Sequence, residues 1–181
     1  RAGLAQGART QFDAFNATNS KLSNNFVYAV HQSDDGSIWV GTQDGLNRLE
    51  PGDSEFSWIN TNTHPVMASS HIMSLVSQGD ILWIGTFDAG LYRLDMQSQQ
   101  ITAVALDSSN PFALQASGIT AIQPHSSGDL VVSTFGGGTA IVDPSGRVKR
   151  VLRNPPGENL TDYPLTLAED ATGEVFVGMS Q

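Results

Sequence analysis

The chain has 181 residues, with nine Lys and Arg against 18 Asp and Glu, a net charge of -9, 18 glycines and no cysteine. The cations are scattered singly and form no basic stripe, which removes nucleic acid from the partner classes, and the lack of cysteine removes disulfides and thiolate chemistry. No apolar run approaches the roughly 18 residues of a membrane-spanning helix, while the length is enough for one domain with its own core.

Residues 1–11 carry little pattern and read as an extended leader; Arg1 to Lys21 lacks the apolar stretch of a signal peptide, although a mature chain would already have lost one. Gln11 to Asn16, with Phe12 and Phe15, lines up with Glu55-Phe56-Ser57-Trp58-Ile59-Asn60 and reads as an orphan outer strand, 11–16, of a sheet whose other strands lie elsewhere. From Leu22 onward one grammar recurs. An apolar residue and a polar turn (Leu22-Ser23-Asn24-Asn25, Met67-Ala68-Ser69-Ser70, Leu114-Gln115-Ala116-Ser117) lead into an apolar strand: Val27 to Val30, Ile72 to Val76, Ile119 to Ile122 and, one residue short, Leu165 to Ala168. A glycine turn follows each of them, at Gly36, Gly79, Gly128 and Gly173. Such turns suit hairpins, because glycine accepts positive φ without a Cβ clash.

The second strand is Ile38-Trp39-Val40-Gly41-Thr42, returning as Leu82-Trp83-Ile84-Gly85-Thr86 and, weakened, as Leu130-Val131-Val132-Ser133-Thr134 and Val175-Phe176-Val177-Gly178. A large ring followed by glycine on the same face suits a tapering sheet whose neighbours approach closely. Third strands run over Gly45 to Glu50, Gly90 to Asp95 and Gly138 to Asp143, and fourth strands over Glu55 to Asn60, Gln100 to Leu106 and Arg147 to Leu152. No segment has a capped 3.6-residue period, so almost no helix is expected. The anchors Trp39, Trp83, Val131 and Phe176 lie 44, 48 and 45 residues apart. Four short strands in each such unit make the arithmetic of an all-β propeller with four-stranded antiparallel blades. A β-sandwich or a β-solenoid fits the spacing less well. The blades span 22–60, 67–106 and 114–152, a further one starts at 160–181, and about three and a half are present over 1–181. Closed rings have about four to eight blades. The chain is therefore expected to be part of a larger ring, or to be completed by another copy of itself.

Catalytic and metal chemistry find no foothold. His31, His64, His71 and His125 sit on different repeat elements without ligand spacing. Gly136-Gly137-Gly138 precedes no helix that could hold a phosphate, and Asp34-Asp35-Gly36 lacks the further oxygens of a calcium loop. No nucleophile elbow or acid-base pair can be placed, so no catalytic residue, metal or cofactor is expected.

The residues Leu22-Ser23-Asn24-Asn25-Phe26-Val27-Tyr28-Ala29-Val30 with Asp35-Gly36-Ser37-Ile38-Trp39-Val40-Gly41-Thr42-Gln43-Asp44-Gly45-Leu46-Asn47-Arg48-Leu49 closely resemble the two-component regulator propeller repeat, and the second copy matches nearly as well through Gly90-Leu91-Tyr92-Arg93-Leu94-Asp95. The third departs from it, with Val131 for tryptophan, Ser133 for glycine and Ile141 at the Arg position; the fourth has Met179 for threonine. The resemblance implies a non-catalytic, ligand-sensing module outside the cytoplasm, in a ring of seven blades. It places the module in the periplasm, in a bacterial protein with a downstream membrane helix, a cytoplasmic histidine kinase or diguanylate cyclase, and a homodimeric full-length form. Its ligand would be a small molecule or oligosaccharide. In a propeller the connections between blades and the second-to-third strand loops share one face, which here would hold Asn24, Asn25, Gln43, Asp44, Ser70, His71, Phe87, Asp88, Phe135 and Tyr163. Amides and carboxylates there can bond hydroxyls, and rings can stack on a sugar. The alternatives are a propeller lyase or glycosidase, which needs clustered carboxylates or a Tyr/His base, and a protein-protein interaction platform.

Overall fold

The structure, a computed structural model, describes residues 4–8, 11–107, 109–110, 112–153 and 164–179, with the backbone alone for 4–8, 11 and 12. Three four-stranded antiparallel sheets follow one another along the chain. The first is β3 (Val27–Gln32), β4 (Ile38–Thr42), β5 (Gly45–Leu49) and β6 (Ser57–Ile59). The second is β7 (Ile72–Gln78), β8 (Ile81–Thr86), β9 (Leu91–Asp95) and β10 (Ile101–Ala103). The third is β11 (Ile119–Pro124), β12 (Leu130–Thr134), β13 (Gly138–Val142) and β14 (Val148–Leu152). Before them stands the pair β1 (Leu4–Ala8) and β2 (Gln11–Phe15), and after them β15 (Pro164–Glu169) and β16 (Val175–Met179). Every strand pairs with its neighbour in sequence, as propeller blades require, and no helix is present among the described residues.

Two expectations are corrected at the N-terminal side. The segment read as a patternless leader contains β1, and the strand read as an orphan is paired, with Leu4 opposite Phe15 and Ala8 opposite Gln11. The missed signal is Gly3-Leu4, which repeats the Gly-Leu opening of the third strands at Gly45-Leu46 and Gly90-Leu91. Fourth strands are also shorter than the pattern suggests. At the start of β6 the Phe56 amide goes instead to the Ser20 carbonyl, whereas past the end of β10 the Val104 amide still bonds the carbonyl of Leu91 on the third strand.

The period-two pleat sends alternate residues of each second strand to opposite blade faces. Trp39 points forward and is buried with Ile72, Leu82, Ile84 and Tyr92 of the next sheet, while Val40 points back to pack with Leu22 and Phe56. Trp83 repeats the arrangement one blade on, against Leu114, Ile119, Leu130 and Val132. The signature glycine follows from the same geometry. A Cβ on Gly41 would lie 2.7 Å from Ile72 Cγ2, and one on Gly85 would lie 2.6 Å from Ile119 Cγ2. Side chains there would push the next blade's first strand away.

The signature arginine is the cross-strand partner of the signature tryptophan: Trp39 faces Arg48, and Trp83 faces Arg93. Arg48 lies over the Trp39 ring, 5.2 Å from its centroid, and is held by Asp35 at 2.9 Å and Glu50 at 3.1 Å. The Ser33 hydroxyl, then the Ser37 amide, donate to Asp35 and with Arg48 hold its carboxyl down at about 2. In the third blade this position is the pair Val131 and Ile141. Both substitutions noted in the sequence thus meet across one ladder.

The blades are also tied at the end where first strands turn into second strands. His31 Nε2 accepts the Ser77 amide at 3.1 Å, Gln78 Nε2 donates to the Gly128 carbonyl at 3.3 Å, and His125 Nε2 donates to the Gly173 carbonyl at 3.0 Å.

Candidate functional site

At the opposite end, each blade builds its rim the same way. The threonine closing the second strand donates its hydroxyl across the turn, from Thr42 to the Gly45 carbonyl at 3.0 Å, Thr86 to Gly90 at 2.7 Å and Thr134 to Gly138 at 2.9 Å. The next residue's amide then bonds the carbonyl just ahead of the first strand: Gln43 to Phe26 at 3.1 Å, Phe87 to His71 at 3.0 Å and Phe135 to Gly118 at 2.7 Å. Two loops per blade are thereby clamped together, and whatever side chains they carry are presented side by side on that face.

What they carry is exposed aromatic surface. Phe26, Phe87 and Phe135 are each more than half exposed, at 59%, 58% and 58%. Each stands at one of these clamps, on three successive blades. Between the first two blades the rings form a ladder: Tyr28 and His71 have centroids 4.8 Å apart, and His71 and Phe87 stack at 4.9 Å with 23° between planes. His71 Nε2 is buried in that ladder without a hydrogen-bond partner. Exposed rings in such an arrangement suit stacking of another ring.

The expected site residues divide into three groups. His71, Phe87 and Phe135 stand on this strip, with Gln43 and Asp88 exposed in the same turns. Asn24 and Asp44 lie beside Phe26 but are bonded to one another, Asn24 Nδ2 donating to Asp44 at 2.6 Å, and Asn24 Oδ1 accepts the Phe26 amide at 2.7 Å. Asn25 and Ser70 serve the framework instead. Asn25 accepts the Ala17 amide at 2.9 Å, and Ser70 accepts that of Thr61 at 3.3 Å. Tyr163 lies outside the described residues. Sequence reasoning missed Phe26 and Tyr28; their signal was the alignment of Phe26 with His71 immediately ahead of the first strand.

The third strand also reaches this end. Asn47 accepts the Ser23 amide at 2.8 Å, and in the next blade the Tyr92 hydroxyl accepts the equivalent Ala68 amide at 2.9 Å. These contacts fix the loops that carry Asn24 and His71. The third blade has Ala140 at this position, opposite Val132, and its side chain can make no such bond. Among the described residues no three His, Asp or Glu side chains converge to hold a metal, and no helix is long and apolar enough to cross a membrane.

Residues 21–44, which include the first rim loop, Trp39 and the Thr42 turn, match the sequence profile of the two component regulator propeller family. The chain carries a two component regulator propeller repeat. No curated protein matches the chain by sequence. Among solved structures it is similar to the extracellular domain assigned to the hybrid two component system BT3049 of B. thetaiotaomicron, with TM-score 0.79 and 20% identity over 92% of this chain and 24% of that one. The extracellular domain assigned to BT4673 of the same organism matches with TM-score 0.79 and 20% identity over 98% and 24%. Virginiamycin B lyase of Staphylococcus aureus matches with TM-score 0.67 and 15% identity over 90% and 52%. The chain spans about a quarter of the length of the two-component domains, and likeness at this identity establishes the propeller fold that the regulator propeller repeat builds.

Proposed function

We propose that the chain is a non-catalytic ligand-sensing propeller segment of a bacterial signalling protein, placed outside the cytoplasm, in the periplasm, and that its ligand lies on the aromatic rim. The observation that carries this reading is that each of the three clamps holds an exposed phenylalanine, Phe26 on the carbonyl side of the first and Phe87 and Phe135 on the amide side of the second and third. The regulator propeller profile over the first rim loop and the likeness to extracellular domains of two-component systems support it. In this reading the ligand is a small neutral molecule or oligosaccharide that stacks on the rings and bonds Gln43, Asp44 and Asp88. Rim occupancy biases the relative arrangement of two subunits, and a downstream membrane helix passes the bias to a histidine kinase or diguanylate cyclase as a population shift. The 181-residue chain tests the first step. In a thermal-shift screen against neutral and acidic oligosaccharides, a ligand that prefers the native state raises the melting temperature. A shift for wild type that Phe87→Ala abolishes supports the assignment; a shift that Phe87→Ala and Phe135→Ala leave intact removes the ligand from the rim.

A further inference from the structure

The carbonyl that closes the rim clamp belongs to Phe26 in the first blade, His71 in the second and Gly118 in the third. In the second blade the imidazole stands between Tyr28, at 4.8 Å, and Phe87, at 4.9 Å. Its Nε2 is buried and finds no hydrogen-bond partner among the described residues. If stacking were the only task at this place, a phenyl ring like that of Phe26 would serve it and leave nothing unpaired. A buried unpaired polar atom is a standing penalty, and native structures keep few of them. The nitrogen calls for a partner that the described strands and loops do not supply.

The ring that stacks on His71 is free to turn where its backbone is not. The Phe87 amide is bonded to the His71 carbonyl at 3.0 Å. The Thr86 hydroxyl donates to the Gly90 carbonyl at 2.7 Å and accepts the Ala89 amide at 3.0 Å. These bonds fix the turn around Phe87, whereas the side chain of Phe87 is largely exposed. Rotation about χ1 therefore needs no backbone movement. It gives up one ring stack, which contributes no more than the unpaired nitrogen costs.

We infer that His71 selects the rim's ligand: the ligand turns the Phe87 ring aside and bonds Nε2. The inference rests on the rim reading above and adds the chemistry of the group that is taken. That group is a hydroxyl, which both donates and accepts and so satisfies either tautomer of the imidazole; a carboxylate or an ammonium satisfies one tautomer only. The exposed rings of Tyr28 and Phe87 beside it suit an apolar ring face next to that hydroxyl. A neutral pyranose unit carries both features.

Calorimetric titration of the 181-residue chain with neutral gluco-, xylo- and mannohexaose tests this. His71→Phe keeps the ring stack and should melt no lower than wild type, yet weaken the sugar that wild type binds by about tenfold, as for one lost hydrogen bond. His71→Gln should recover part of that loss. In side-chain nitrogen NMR of the wild type, the bound sugar should shift the His71 Nε2 resonance and leave those of His31 and His125, tied at the opposite end, in place. Affinity kept in His71→Phe but lost in Phe87→Ala, or an unmoved Nε2 resonance in the sugar-bound chain, removes His71 from recognition while the ligand stays on the rim. A wild type that binds none of the three sugars, or Phe87→Ala that binds as well as wild type, overturns the rim reading and this assignment together.

Discussion

The seam between the first and second sheets and the seam between the third sheet and the two-stranded pair β15–β16 share the same first- and second-strand pattern and are filled differently. At the first, Trp39 is buried to the ring against four side chains of the next sheet, and Arg48 covers its outer face. At the last, Val131 and Ile141 occupy those two places and line an open groove of about 340 Å³ with Val175, Val177 and Leu152. The two changes belong together. An arginine without the tryptophan face would lose its stacking surface, and a tryptophan without the arginine would expose an edge. The polar ties at the far end persist across both seams, from His31 to Ser77 and from His125 to Gly173. Repeat proteins of this kind can thus vary the apolar filling of a joint while keeping its hydrogen-bonded hinge line.

The sharpest break of this contrast is truncation of the spoke. Trp39→Ala should lower unfolding free energy by about 3–5 kcal/mol in urea titration, as for a buried large ring, whereas Val131→Ala should cost about 1.5 kcal/mol. Equal losses would mean that the seams do not differ in filling. Next comes the close approach. Gly85→Ala places a methyl group against Ile119 and Ser74 and should cost about 1–3 kcal/mol, while Ser133→Ala, at the same place in the third blade, should stay within about 1 kcal/mol. Rebuilding the pair sharpens the contrast from the other side. Val131→Trp with Ile141→Arg should be better tolerated than the sum of the single changes, by about 0.5–1 kcal/mol in a double-mutant cycle.

Acid gives the smallest and broadest effect. Burial lowers His31 below its ordinary value of 6.5 and so favours its neutral form, which accepts the Ser77 amide; the stability this lends is full above 6.5 and fades as pH falls below it. Asp35, lowered from 3.8 to about 2 by Ser33, Ser37 and Arg48, adds a second window: its contribution is full above 3.8 and is lost as pH falls toward 2. His31→Gln should flatten the upper window of a melting-temperature profile and leave the lower one unchanged.

Much of this was legible in the chain. The repeat of Trp-x-Gly-Thr and the turn glycines set blade number and strand order, because burial against a close neighbour demands those residue types. The β1–β2 pair at the N-terminal side escaped because β1 keeps only the Gly-Leu opening seen in the third strands. The rim was readable as a set of turns, but not as a ladder of rings. Side-chain roles at turns depend on competing local bonds, and Asn25 and Ser70, polar and well placed in sequence, are turned to Ala17 and Thr61. Phe26, one residue from Asn25, carries the exposed surface instead.

Hydrogen exchange on the 181-residue chain, with and without the oligosaccharide that gives the largest thermal shift, tests the rim most directly. Protection should appear in the loops carrying Asn24 to Phe26, Ser70 and His71, and in the turns after Thr42, Thr86 and Thr134, with the Gly36, Gly79 and Gly128 turns unchanged. Protection confined to those glycine turns, or to the seam groove at Val131 and Ile141, would contradict a ligand on the aromatic rim.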